Sequence, residues 1–119
     1  MAMMAVAFPI LPGKTEAWNH FIAELNGARK AEFEASRQKA HVREQTFFQS
    51  TPMGDLVIVT LSGEDPARSF AEMSSADDAF TRWFVEHVKE LHGVDVSAPM
   101  AGGPPSKLVI DSGEGGRPR

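Results

Sequence analysis

The four histidines of this sequence, His20, His41, His87 and His92, have the widest range of chemistry. An imidazole acts as a general acid or base near neutral pH and is a common metal ligand. A metal site needs three or four converging ligands, whereas His87 and His92 point about 140° apart on one predicted helix. The sequence contains no cysteine, which excludes thiolate ligands and nucleophiles. We therefore expect neither a metal ion nor a cofactor.

His87 is the candidate with the most suggestive neighbours. It follows Trp83 by one helical turn and precedes Leu91 by one turn, on or beside the apolar stripe of the last predicted helix. In one interpretation His87 is a boundary residue held by a backbone carbonyl or water, and Trp83 is a core or interface residue. In the other, His87 is a general base or hydrogen-bond donor in a ligand pocket, and an apolar ligand stacks on Trp83.

Arg37, Arg43 and Glu44 form a second candidate group. Arg43 and Glu44 begin a predicted strand and therefore point to opposite faces of the sheet. One of them faces the helices or a partner subunit, where an unpaired charge is costly, but the sequence does not decide which. The alternatives are an ion pair, such as Arg43 with a helical glutamate, and a charged group that binds a carboxylate or enolate at the mouth of the cleft between sheet and helices.

Length, charge and motifs exclude several classes of protein. The chain has 119 residues, enough for one domain, and its net charge of −4 gives no electrostatic basis for binding nucleic acid or anionic membranes. It has no phosphate-binding glycine loop and no G-x-S-x-G nucleophile elbow. Residues 1–11 lack a basic start and are interrupted by proline, so they predict neither a secretory signal nor a membrane span. The expected location is the cytoplasm.

Hydrophobic periodicity predicts the elements that position these residues. Two helical pieces are expected at 15–26 and 28–40, a short helix after Asp65-Pro66, and a last helix that ends at Gly93. The segment Thr51–Asp55 is a tight turn, so the strands on either side of it should form an antiparallel hairpin. The predicted strands are Met3–Leu11, Val42–Gln49, Leu56–Leu61 and a short final strand, Leu108–Ile110.

This order is β-α-β-β-α-β, which predicts an α+β, ferredoxin-like fold with a four-stranded antiparallel sheet and helices on one face. The first and third strands are apolar on both sides, so a monomer would expose an apolar sheet face. We therefore expect a homodimer formed through that sheet face. Residues 1–111 should form the single domain, and residues 112–119 a flexible tail.

The chain resembles the dimeric α/β-barrel superfamily, and more closely a bacterial family of small single-domain proteins that has no assigned reaction. The resemblance covers about residues 4–96 and includes the His92-Gly93 pair. It is carried by the segments Leu11–Lys14, Glu32–Arg37, Thr51–Asp55 and Asp77–Phe84. The superfamily includes antibiotic-biosynthesis monooxygenases, muconolactone isomerases, EthD-like proteins, stress-responsive barrels and haem-binding relatives of chlorite dismutase. The resemblance therefore implies a fold and a dimer but leaves the activity open.

Two functions follow as hypotheses. The first is a cofactor-independent oxygenase or isomerase that acts on a small apolar metabolite, with His87 as the candidate catalytic residue and Trp83, His87 and Arg43 as candidate ligand contacts. The second is a non-catalytic homodimer that binds a small molecule or serves a structural purpose. A cleft of at least ~300 Å³ that holds His87 or an unpaired arginine would favour the enzyme. A filled core with every such atom paired would favour the second hypothesis.

Overall fold

The computed structural model describes residues 2–98 and 106–113 of the chain. An antiparallel sheet of three strands, in the order β1-β3-β2, carries four helices. The α+β class predicted from the sequence is correct. The elements in chain order are β1 (Ala2–Pro9), α1 (Thr15–Leu25), α2 (Lys30–Lys39), β2 (Val42–Thr51), β3 (Gly54–Gly63), α3 (Pro66–Ser75) and α4 (Ala79–His92).

The hairpin between β2 and β3 is confirmed. The two strands pair antiparallel along their whole length, from Val42 opposite Gly63 to Thr51 opposite Gly54. Gly54 has a φ of 126°, a conformation that favours glycine, and the Thr51 hydroxyl donates a 2.6 Å hydrogen bond to its carbonyl. This tight turn fixes the register and thereby decides which residues of β2 face the helices.

The predicted four-stranded, ferredoxin-like sheet is wrong. Leu108, Val109 and Ile110 form no strand, and they are 78%, 78% and 84% exposed. This segment is tied to β1 by a hydrogen bond from the Ser106 hydroxyl to the Ala5 carbonyl. A strand needs a ladder of backbone hydrogen bonds, which apolar, β-branched composition does not supply by itself. The described elements therefore follow the order β-α-α-β-β-α-α, and the four-stranded sheet expected of a dimeric α/β barrel is not present in them.

Several helix ends lie where the sequence indicated, although α2 begins at Lys30, two residues later than predicted. The α1–α2 pair is interrupted around Gly27, as predicted. At the start of α3 the Asp65 carboxylate accepts a 3.2 Å hydrogen bond from the Arg68 amide, and Pro66 occupies the first turn. Helix α4 ends at Gly93, whose φ of 73° is left-handed. This last cap places His92 at the carboxyl end of α4.

All four helices contribute buried residues to one face of the sheet, which we call the covered face. Its residues include Met4, Val6 and Phe8 of β1 and Val57 and Leu61 of β3, all of them buried. The apolar side chains on this face form two clusters. One is built mainly by α1 and α4, and the other by β1 and α3, while Val59 and Val96 contact both.

The opposite side, which we call the open face, has no helix over it in the described part of the chain. Directly opposed residues of antiparallel strands share a face, so Ala7, Ile58 and Phe47 form one row across it. Phe47 is 53% exposed. The open face is therefore partly apolar and lacks a covering layer.

Candidate functional site

A cavity of about 60 Å³ lies between the sheet and the helices, where the two apolar clusters meet. Most of its wall is apolar and comes from both clusters, including Phe8, Phe21, Phe70, Met73 and Val88. Five polar or charged side chains also line it: Arg37, Glu44, Thr46, Ser74 and His92. Polar groups are uncommon in an apolar interior, so these five side chains define the candidate site.

Arg37 and Glu44 form a buried ion pair at this cavity. Arg37 lies on the inward side of α2, and Glu44 lies on the covered face of β2, opposite Leu61. The Arg37 Nε donates a 2.8 Å hydrogen bond to Glu44 Oε1, and the two side chains are only 7% and 6% exposed. The Thr46 hydroxyl donates to the second carboxylate oxygen at 3.3 Å. The carboxylate is therefore held on both of its oxygens.

Two aromatic rings hold the Arg37 guanidinium from its sides. Its central carbon lies 4.7 Å from the centre of the Phe33 ring and 4.6 Å from that of Phe84. Such cation–π contacts are strongest when the cation is removed from water, as Arg37 is here. A buried pair of this kind is often no more stabilising than well-packed apolar residues of the same size. Stability alone therefore does not explain why this ion pair lies in the wall of a cavity.

His92 lies in the cavity wall and is only 5% exposed. Its Nδ1 is 2.8 Å from the Pro9 carbonyl oxygen. Because a carbonyl only accepts hydrogen bonds, Nδ1 carries the proton. Burial lowers the pKa of His92, against the opposite effect of that carbonyl, so the ring is neutral near pH 7. The lone pair of a neutral His92 is therefore on Nε2, for which the described residues provide no hydrogen-bond partner.

Trp83 and His87 lie together, but not at this cavity. Their ring centres are 4.5 Å apart, and the His87 Nδ1 donates to the Trp83 carbonyl at 2.8 Å. The His87 ring also stacks on Phe21, and the Arg29 guanidinium lies 4.0 Å from the centre of the Trp83 ring. The backbone contact at His87 agrees with the interpretation of a boundary residue. Ligand binding by Trp83 or His87 stays a prediction.

Arg43 lies opposite Ser62 of β3, points to the open face and is exposed. Glu44, not Arg43, faces the helices, which answers the question that the sequence left open. No ion pair of Arg43 is present within the described ranges. The helix–strand ion pair that the sequence suggested does exist, with the charges exchanged: the helix supplies the arginine and the strand supplies the glutamate.

Sequence reasoning placed Arg37 and Glu44 in a candidate group but named neither as a ligand contact, and it did not select Ser74 or His92 as site residues. The sequence could have predicted that Glu44 faces the helices. Side chains alternate along a strand, so Glu44 lies on the same face as Val42 and Phe48, and the hairpin turn places these two residues on the covered face. No comparable signal existed for His92. Its contact with Pro9 joins residues 83 positions apart in the chain, and only the tertiary fold creates it.

Residues 2–98 and 106–113 contain no cluster of three or more histidine, aspartate or glutamate side chains arranged to bind a metal ion. None of the helices in these ranges is both long and apolar enough to cross a membrane.

Comparisons of this chain with protein-family models, with curated proteins and with solved structures find no match. Its function must therefore be argued from the geometry of the cavity and of the two faces of the sheet.

Proposed function

We propose that this protein is a small-molecule-binding homodimer whose ligand occupies the cavity between the sheet and the helices. The observation that carries this proposal is the cavity itself, an apolar space with a buried ion pair and a buried histidine in its wall. Protein interiors are normally close-packed, and a void costs stability because its lining loses contacts. A ligand that fills the void would restore those contacts.

Binding without catalysis is the better supported of the two hypotheses. The volume of about 60 Å³ is well below the ~300 Å³ typical of small-molecule sites, and Arg37 is already paired with Glu44. No side-chain nitrogen or oxygen in the described ranges is both fully enclosed and unpaired. A small cavity with a paired arginine was the pattern expected of the non-catalytic homodimer, so we favour that hypothesis.

The wall of the cavity suits a small apolar ligand. A cavity of ~150 Å³ holds one benzene molecule, so an aromatic ligand would need part of this wall to move. Met73 is suited to that movement, because its side chain is unbranched and flexible and lies in the wall. The open face of the sheet is not needed for ligand entry and is free to bind a second copy.

A titration with toluene tests ligand binding. We expect toluene to raise the melting temperature and to shift amide resonances of residues that line the cavity, since a ligand of the folded state stabilises it. Val59→Leu adds a methylene group to the wall and should weaken binding, whereas Val85→Leu, on α4 and outside the wall, should not. Unchanged melting temperature and resonances at millimolar toluene would contradict the proposal.

The homodimer is supported by the open face. Ile58 lies at its centre between Ala7 and Phe47, and Leu56 is the next residue of β3 that points the same way. Soluble monomers rarely leave a contiguous apolar patch in water. Arg43, Gln45 and Gln49 of β2 give this face one polar edge, as is typical of the rim of a protein interface.

A cofactor-independent oxygenase or isomerase is a second candidate, and His92 favours it. A neutral, buried imidazole with a free lone pair is suited to accept a proton from a substrate. Conversion of a bound compound that is abolished by His92→Asn, without loss of affinity, would support this candidate. Binding without conversion would support the non-catalytic protein.

A further inference from the structure

His92 and Ser74 supply the cavity with polar atoms that the fold itself does not use. The Nδ1–H of His92 is directed to Pro9, which leaves Nε2 as a free acceptor in a ring that is only 5% exposed. Ser74 is equally buried, and its hydroxyl has no partner within the described residues. No unpaired side-chain nitrogen or oxygen of the described residues is fully enclosed, so water or a ligand can reach these two atoms. Both residues lie in the cavity wall.

The charges around the cavity decide what kind of ligand these atoms can receive. Arg37 and Glu44 compensate each other at 2.8 Å, so the wall offers no unpaired positive or negative charge. An ion placed in such an apolar space would lose its hydration without finding a counter-charge. The ligand should therefore be neutral.

The free acceptor decides the ligand's polar group. An acceptor such as Nε2 gains nothing from an ether or a carbonyl, which are acceptors themselves. A hydroxyl group fits both unused positions, because it can donate to an imidazole nitrogen and accept from a serine.

We propose that the ligand is a neutral, largely apolar molecule with one hydroxyl group, which donates a hydrogen bond to Nε2 of His92. This inference rests on the proposed function, because it names the ligand class of the same cavity. Ser74 is a secondary contact, since a serine hydroxyl can also turn to the carbonyl of its own helix.

Phenol and toluene test the inference, because they have nearly the same shape and differ in the hydroxyl group. We expect phenol to bind the wild-type protein about tenfold more tightly than toluene, measured by nuclear magnetic resonance titration. His92→Asn keeps an amide donor for the Pro9 carbonyl but has no atom at the position of Nε2. In this variant the two affinities should become equal. Ser74→Ala and His87→Asn should keep most of the preference.

The outcomes separate this inference from the function on which it rests. Equal affinity of the wild type for phenol and toluene would overturn the hydroxyl requirement and leave the apolar site intact. A preference for phenol that persists in His92→Asn, or that disappears in Ser74→Ala alone, would also overturn it. Failure of both compounds to bind would overturn the proposed function as well.

A second measurement does not depend on the variant's folding. With ¹⁵N-labelled histidine in the wild-type protein, phenol should shift the Nε2 resonance of His92 and leave that of His87 unchanged. An unmoved His92 resonance at saturating phenol would overturn the inference.

Discussion

The two faces of the sheet differ far more in their surroundings than in their sequences. On β3, Val57, Val59 and Leu61 point to the helices, and Leu56, Ile58 and Thr60 point away from them. Both sets are mostly apolar. Val57 and Leu61 are buried in the core and the half-buried Val59 packs against it, whereas all three residues of the second set are half-buried and belong to neither cluster. The apolar pattern of a strand thus indicates that both faces avoid water, but not what covers each of them.

The largest expected effect contrasts neighbouring residues of β3. Val57→Asp should unfold the protein, because an unpaired carboxylate would enter a site that is 2% exposed. Ile58→Lys should leave a folded protein and convert the proposed homodimer to a monomer. Circular dichroism measures the folding of each variant, and sedimentation velocity measures its mass.

Two results would contradict the expected difference between Val57 and Ile58. A wild-type protein that sediments as a monomer at micromolar concentration would remove the homodimer from the proposal. A dimeric Ile58→Lys variant would place the interface elsewhere. Glu72→Lys, on the exposed side of α3, is the matched control and should change neither the fold nor the mass.

Local patterns predicted the helices, the first cap of α3, the last cap of α4 and the hairpin, because each depends on residues close in the chain. Asp65 caps α3 through its side-chain carboxylate, and Gly54 and Gly93 have positive φ angles that other residues adopt less readily. The prediction of a fourth strand was wrong for the opposite reason. Leu108–Ile110 has the composition of a strand, but a strand also needs a ladder of backbone hydrogen bonds to a distant partner, and its composition does not encode that pairing.

The next largest effect concerns the ion pair of the covered face. Arg37→Met or Glu44→Leu alone should lower the free energy of unfolding by about 3–5 kcal/mol, because each leaves a buried charge without its partner. The double variant should recover most of that loss, since two apolar side chains can fill the same space. Urea unfolding of the four proteins gives the coupling energy.

Arg43, an exposed arginine, is the control for these variants of Arg37 and Glu44. Arg43→Met, on the open face, should change the free energy of unfolding by at most about 0.5 kcal/mol, as surface substitutions usually do. Single variants of Arg37 and Glu44 with equally small effects would show that water reaches the pair. The described burial of both side chains would then not hold in solution.

A smaller effect is the dependence of stability on pH through His92. Its pKa in the folded protein lies below the reference value of 6.5, because burial disfavours the charged ring. The unfolded chain therefore binds the proton first as the pH falls. This contribution to stability is complete above pH 6.5 and decreases as the pH falls from 6.5 through the folded pKa.

Urea unfolding of the wild type and of His92→Asn between pH 7.5 and 5 isolates this effect. The difference between their unfolding free energies should change with pH in that window. Asp55 and Asp78, whose pKa values lie below their reference of 3.8, act only in more acidic solution. Parallel curves for the wild type and His92→Asn would contradict the assigned burial of His92.

The candidate site was harder to predict than the elements that form it. Trp83 and His87 were selected because they share one helix face, and they do lie together, since spacing along a helix determines that contact. Arg37, Glu44 and His92 come from three different elements, and the packing of α2 and α4 on the sheet brings them to one cavity. Their residue types suggested chemistry, but their positions in the chain did not indicate a shared location.

The smallest expected effect concerns residues 112–119, of which 114–119 lie outside the described part of the chain. This segment contains no large apolar side chain, so it has little surface to bury on either face of the sheet. Its deletion should leave the melting temperature unchanged within error and the sedimentation coefficient that of the homodimer. A decrease of several degrees would mean that the segment docks on the body or on the partner subunit. If the deletion also increased the exposure of Phe47, measured by hydrogen exchange around β2, the open face would be covered by the chain's own end and not by a second copy.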